Sequence, residues 1–197
     1  VKVLRSIAPL APGDIVRGQV RGYCDEPGVK PDSTVETFAA LRLSINSWRW
    51  KGVPFYIRAG KQLPTTATEV IVKLRQPPAV FTEQAPPANH FRFRLAPTQT
   101  IAITSTVKVH NEILTGRAVE LTVSEYEGAA DMSAYEELLT DAMHGVSARF
   151  ARQDYVEEAW RIVDPVLEVE GPVHEYAPRT WGPLDAYAHL SPEGGWI

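Results

Sequence analysis

The sequence predicts an α+β protein: a large, mostly antiparallel β-sheet with helices packed on one face. Three observations lead there. Short stretches that alternate apolar and polar residues follow one another from Thr37 to Val123, with no helical pattern between them. Two amphipathic helical patterns come only afterwards, between Ser133 and Pro165. Strands that follow strands directly need only short turns, which pairs them antiparallel, and helices segregated in sequence gather on one side of such a sheet.

The stretch up to Asp32 is dense in turn formers, among them Pro9, Pro12, Gly13, Gly18, Gly22 and Pro27, and reads as extended chain wrapping a core. From Thr37 to Ile45 the pattern alternates, with Ala39, Leu41, Leu43 and Ile45 on one face and Arg42 and Ser44 on the other. Phe55-Tyr56-Ile57 makes a second strand that runs into Arg58-Ala59-Gly60-Lys61. Glu69 to Arg75, His90 to Leu95, Thr100 to Thr104, Val107 to Val109 and Val119 to Val123 complete the set, with Gln76-Pro77-Pro78 and Ala85-Pro86-Pro87 as loop signals.

Ser133 and Glu136 form a capping-box pair that opens a helix, with Tyr135, Leu138, Leu139, Ala142 and Met143 on one face and Gly145 placed to stop it. A second helix starts near Asp154, with Val156, Ala159, Trp160 and Val163 as its apolar stripe and Asp164-Pro165 near its end. The tail from Gly171 reads as irregular.

The 197 residues fit one large domain or at most two small ones. With 44% apolar and 22% charged residues, the chain can bury a sizeable core. A net charge of -4 and a pI near 5.8 argue against nucleic acid as a partner. Cys24 is the sole cysteine, which rules out an internal disulfide and suits a reducing cytoplasm. No run of about eighteen apolar residues predicts a membrane span, so no membrane partner is expected. The sequence opens on Val1 and runs straight into Lys2-Val3-Leu4-Arg5, as the middle of a longer chain would.

The candidate chemistry is sparse. Lys61, leaving a strand end beside Gly60, can reach a phosphate or hydroxyl as a point charge, or can equally be a solvated turn residue. Arg17, Arg21, Arg92 and Arg94 are candidates for an anion site, but Arg92 and Arg94 share one strand face, where cross-strand ion pairing is the plainer reading. The five histidines at 90, 110, 144, 174 and 189 show no metal-ligand spacing, so no metal is expected. Glu136-Glu137 and Glu157-Glu158 fall on polar helix faces. Neither glycine-rich nucleotide fingerprint occurs, so the chain has no recognisable dinucleotide site of its own.

Several segments together resemble the glucose-6-phosphate dehydrogenase family in its C-terminal domain. They are Val3-Leu4-Arg5-Ser6-Ile7, Arg17-Gly18-Gln19, Gly22-Tyr23, Pro31 to Leu41, Trp48-Arg49-Trp50 through Lys61, Ala134 to Leu139, and Glu158-Ala159-Trp160-Arg161-Ile162-Val163-Asp164-Pro165. They follow the family's order over nearly the whole chain.

The resemblance implies a two-domain cytoplasmic enzyme of the pentose phosphate pathway. It would oxidise glucose 6-phosphate at C1 to 6-phosphogluconolactone, with NADP, or NAD in some members, accepting the hydride. It places the cofactor fold, the catalytic histidine and most sugar-phosphate contacts in a first domain absent from this sequence. Residues 1–197 are then a single C-terminal domain with no catalytic residue, inactive alone, that forms a homo-oligomer through its sheet. Lys61 matches the strand-end lysine that touches substrate, and Arg58 on the same segment is a candidate cofactor contact.

Four positions depart from the pattern. Thr66 and Ala67 stand where basic residues are usual, the first as a weak substrate-binding candidate, the second where relatives hold a structural NADP. Ala96 replaces a common glutamine before Pro97, and Val20 replaces a tyrosine. A reading of a different class stays open: a divergent paralogue whose domain serves mainly as an oligomerisation or regulatory module.

Overall fold

The computed structural model describes residues 1–79, 85–110, 116–124, 133–167, 169 and 171–196. They divide into two compact units, one made of Val1–Thr65 with Met132–Trp196, the other of Thr66–Asp131. The α+β class and the antiparallel bias hold. The strands, however, form two four-stranded sheets, one in each unit, rather than a single large one.

The first unit contains β1 (Ile15–Val20), β2 (Phe38–Ser44), β3 (Pro54–Gly60) and β8 (Val173–Tyr176), in the order β3-β2-β1-β8. Its described helices are α1 (Lys2–Arg5), α2 (Ala134–Met143), α3 (Gln153–Leu167) and α4 (Leu184–Leu190). β1 and β3 pair antiparallel with β2, and β8 joins the other edge of β1 in parallel, with Arg17 opposite Val173 and Val20 opposite Tyr176.

Two strands here escaped the sequence reading. β1 was expected as extended wrapping chain and β8 as irregular tail. β1 does alternate, with Val16, Gly18 and Val20 buried, but a glycine in the middle weakens the apolar signal. β8 has only four residues, two of them polar, and is held by its register against β1 rather than by composition.

The core explains why β2 sits centrally. Phe38 and Ala40 point into one cluster with Val16, Val20, Tyr176 and the α4 residues Ala186 and Leu190. Leu41 and Leu43 pack against a second cluster of Ile7, Leu10, Ile162 and Val166. Alternating side chains leave a strand on opposite faces, so this sheet is covered on both sides, by α4 and by α3. The face expected to be polar begins with Phe38 and Ala40 and turns polar only at Arg42 and Ser44.

In α3 the buried residues are Ile162 and Val166, while Val156 and Trp160 of the expected stripe are exposed. α2 begins as expected, with Ser133 Oγ accepting from the Glu136 amide at 3.2 Å.

The second unit is a meander of β4 (Thr68–Lys73), β5 (His90–Ala96), β6 (Thr100–Lys108) and β7 (Gly116–Ser124). β6 is one continuous strand where the sequence reading placed two. Its register stacks two apolar rows across all four strands: Val70, Phe93, Ile101 and Val123, then Val72, Phe91, Ile103 and Leu121. The opposite face is polar, with Arg92 paired to Glu120 at 3.3 Å and Arg94 to Glu69 at 2.6 Å.

Candidate functional site

The segment leaving β3 is held from three directions. Phe38, 2% exposed, stands opposite Gly60 across the β2–β3 ladder and meets the ring of Tyr176 at 5.5 Å, tilted by 57°. The ring lies so close to the strand that a Cβ on Gly60 would come within 2.8 Å of Phe38 Cδ2. Gly182 closes over the far edge of the same ring, at φ +108, a conformation that side chains rarely adopt. Gly60 is therefore present because Phe38 occupies the space its side chain would need.

Immediately after it, the Lys61 amide donates to the Thr37 carbonyl at 2.8 Å, and the Lys61 carbonyl accepts from the Tyr176 hydroxyl at 2.7 Å. Gln62 then turns at φ +51, and its carbonyl accepts from the Arg179 amide at 2.7 Å. The backbone is pinned while the Lys61 side chain is exposed and makes no ion pair with any described residue. A cation held this way is a fixed origin for a long, mobile point charge, which suits contact with an anionic ligand.

Arg58 lies on the same β3 face as Gly60, two residues back. Its guanidinium sits 4.3 Å from the Trp181 ring centroid and 4.7 Å from that of Trp196, which in turn meets Tyr56 edge-on at 6.1 Å. Cation–π contacts of this kind fix the plane of the group.

The remaining arginine candidates are each held by a partner of their own. Arg17 donates to the Val169 carbonyl at 2.8 Å and Arg21 pairs with Glu175 at 2.9 Å, while Arg92 and Arg94 are held by their cross-strand carboxylates. Glu158 is more than a surface carboxylate: it bridges Arg5 at 2.9 Å and Arg161 at 2.8 Å. Among the described residues no cluster of His, Cys, Asp and Glu is arranged to hold a metal.

The family model for the glucose-6-phosphate dehydrogenase C-terminal domain matches residues 1–196. The chain belongs to this family. Glucose-6-phosphate 1-dehydrogenase of Aggregatibacter actinomycetemcomitans is 37% identical over 212 residues, covering 98% of this chain and 43% of that protein. The crystal structure of the Mycobacterium avium glucose-6-phosphate 1-dehydrogenase matches with a TM-score of 0.89 and 39% identity, over 100% of this chain and 42% of that one. A glucose-6-phosphate dehydrogenase solved in complex with its substrate glucose-6-phosphate matches with a TM-score of 0.82 and 30% identity, over 100% of this chain and 43% of its own. The chain thus spans less than half the length of the relatives it matches.

Within this glucose-6-phosphate dehydrogenase C-terminal domain, the positions that depart from the family pattern separate. Val20 belongs to the first unit, whereas Thr66 and Ala67 open the second, exposed, ahead of β4, and Ala96 ends β5. The residues that build the Lys61 turn went unnoticed in the sequence: Phe38, Thr37, Tyr176 and Gly182. Only Gly60 carried a local signal, through its place beside the lysine.

Proposed function

We propose that this domain is the C-terminal half of a cytoplasmic enzyme that oxidises glucose 6-phosphate to 6-phosphogluconolactone. Lys61 is its substrate contact. The observation that carries this reading is an exposed ammonium, without an ion-pair partner among the described residues, just past a strand end and with its own backbone amide and carbonyl both hydrogen-bonded. As an ammonium it donates charge-assisted hydrogen bonds to a sugar phosphate or hydroxyl, each worth about 1.5–3 kcal/mol. NADP supplies the hydride acceptor when bound, and its site lies mainly outside this chain, which has no glycine fingerprint. Arg58, with its guanidinium plane fixed by two indoles, is the domain's candidate cofactor contact. Thr66, the weak second candidate for substrate binding, has no charge to offer a phosphate.

The domain also supplies the subunit contact. The apolar rows of β4–β7 leave Val70, Ile101, Leu121 and Val123 exposed on one face of the sheet, and contiguous exposed apolar surface is what marks an interaction site. A second copy of the same face is the occupant proposed.

The decisive assay compares the purified chain with the same chain joined to its cofactor-binding half. The joined protein is expected to form NADPH from glucose 6-phosphate and the isolated chain to form none. Turnover by the isolated chain would overturn the assignment of the catalytic groups to the other half.

A further inference from the structure

We propose that Tyr176 is a positioning residue for Lys61, an inference that rests on the substrate-contact reading above. Tyr176 ends β8 and is 3% exposed, with its ring against Phe38. A phenylalanine would fill the same volume and keep the ring contact, so packing alone does not call for the hydroxyl. The hydroxyl instead completes a relay of donors. The Val20 amide donates to Thr37 Oγ1 at 2.8 Å, Thr37 Oγ1 lies 3.2 Å from the Tyr176 oxygen, and that oxygen donates to the Lys61 carbonyl at 2.7 Å.

Each member has one proton to give. With Thr37 donating to Tyr176 and Tyr176 to Lys61, every bond in the relay is satisfied in one direction. Thr37 also accepts the Lys61 amide on its own carbonyl, so the residue just before β2 and the last residue of β8 together hold both backbone groups of the lysine. The two strands are neighbours of β1 on opposite sides, and the relay crosses between them at the end where Lys61 leaves the sheet.

The consequence concerns reach. A flexible lysine stem can meet a ligand only within a sphere centred on its Cα, and the carbonyl bond adds to the amide bond from Lys61 to Thr37 in fixing that centre. Tyr176, from 115 residues away in sequence, holds the one backbone group of Lys61 that Thr37 does not. The C-terminal strand, which carries no substrate group itself, thereby becomes part of the substrate site.

The test is a double-mutant cycle in the full-length enzyme with Tyr176→Phe, Lys61→Ala and both together. Tyr176→Phe is expected to raise KM for glucose 6-phosphate about three- to tenfold and to leave KM for NADP unchanged. In the Lys61→Ala background it is expected to add nothing to that KM, because a lysine that is absent cannot be mispositioned. A Tyr176→Phe enzyme with altered melting temperature and unchanged KM would overturn the proposal while leaving Lys61 as the substrate contact. An effect that adds fully to that of Lys61→Ala would overturn it as well. If Lys61→Ala itself leaves KM unchanged, the substrate-contact reading fails and this inference falls with it. Thr37→Val, which removes the hydroxyl on the other side of Tyr176, provides a second route to the same rise in KM should Tyr176→Phe fold poorly.

Discussion

Gly60 and Phe38 face each other across the β2–β3 ladder at a separation that leaves no room for a methyl group, since a Cβ on Gly60 would lie 2.8 Å from Phe38 Cδ2. Gly60→Ala must push either the ring or the end of β3, and the ring is already enclosed by Tyr176 and Gly182. The expected outcome is a loss of about 1–3 kcal/mol in stability, together with a raised KM for glucose 6-phosphate as Lys61 moves with the strand end. Thermal unfolding and steady-state kinetics on the full-length enzyme check both, and a substitution silent in each would show that the strand end tolerates the shift.

Lys61→Ala is the direct test of the substrate contact. Removing one charge-assisted donor is expected to lower kcat/KM for glucose 6-phosphate by roughly tenfold to a hundredfold, with unfolding unchanged, because the residue is exposed. Thr66→Arg is expected to lower KM for glucose 6-phosphate if the new side chain points toward the bound substrate, and an unchanged KM would show that it does not. Kinetics of Lys61→Ala indistinguishable from the parent would mean the lysine is a solvated turn residue.

The apolar face of the second sheet yields a test of assembly. Leu121 is 67% exposed and lies in the row Val72, Phe91, Ile103, Leu121. Leu121→Glu places a carboxylate at the β7 end of that row and is expected to shift the full-length protein toward monomer in sedimentation at roughly 10 µM, a concentration that reports weak dimers. The parent sedimenting as a clean monomer would remove this surface from the interface.

Acid stability depends on Glu158. The Arg161 guanidinium first, and Arg5 second, hold its carboxyl below the usual carboxylate range. Its folded value is therefore below its unfolded one. The contribution is present at pH above the unfolded value, about 4.3 for a glutamate, and is lost as pH falls through the folded value. Arg161 also donates to the Leu4 and Ile7 carbonyls at 2.9 Å, so this cluster fastens the N-terminal segment to α3. Melting temperatures of Glu158→Gln and the parent should differ near neutral pH and converge as the pH falls through the folded value, and the gap should narrow with salt. A gap independent of pH would show that Glu158 acts by packing.

What was legible in the sequence is what local pattern encodes. The strands with three or more alternating apolar residues, β2 and β4 to β7, were readable because one face of each is built from them. The start of α2 was readable because its cap is three residues from its partner. Lys61 stood out through its neighbour Gly60 and through its resemblance to a family lysine.

Tertiary structure decided everything that depends on partners far apart in the chain. Four-residue β8 exists because β1 offers it a parallel edge, and no local preference of Val173-His174-Glu175-Tyr176 requires a strand. Alternation in β2 was visible, but only packing determined that Phe38 and Ala40 meet α4 while Leu41 and Leu43 meet the α3 side. The setting of Lys61 lay furthest from sequence: its backbone is held by Thr37 and Tyr176, and the fold that brings those two together is a sum of contacts no spacing along the chain expresses.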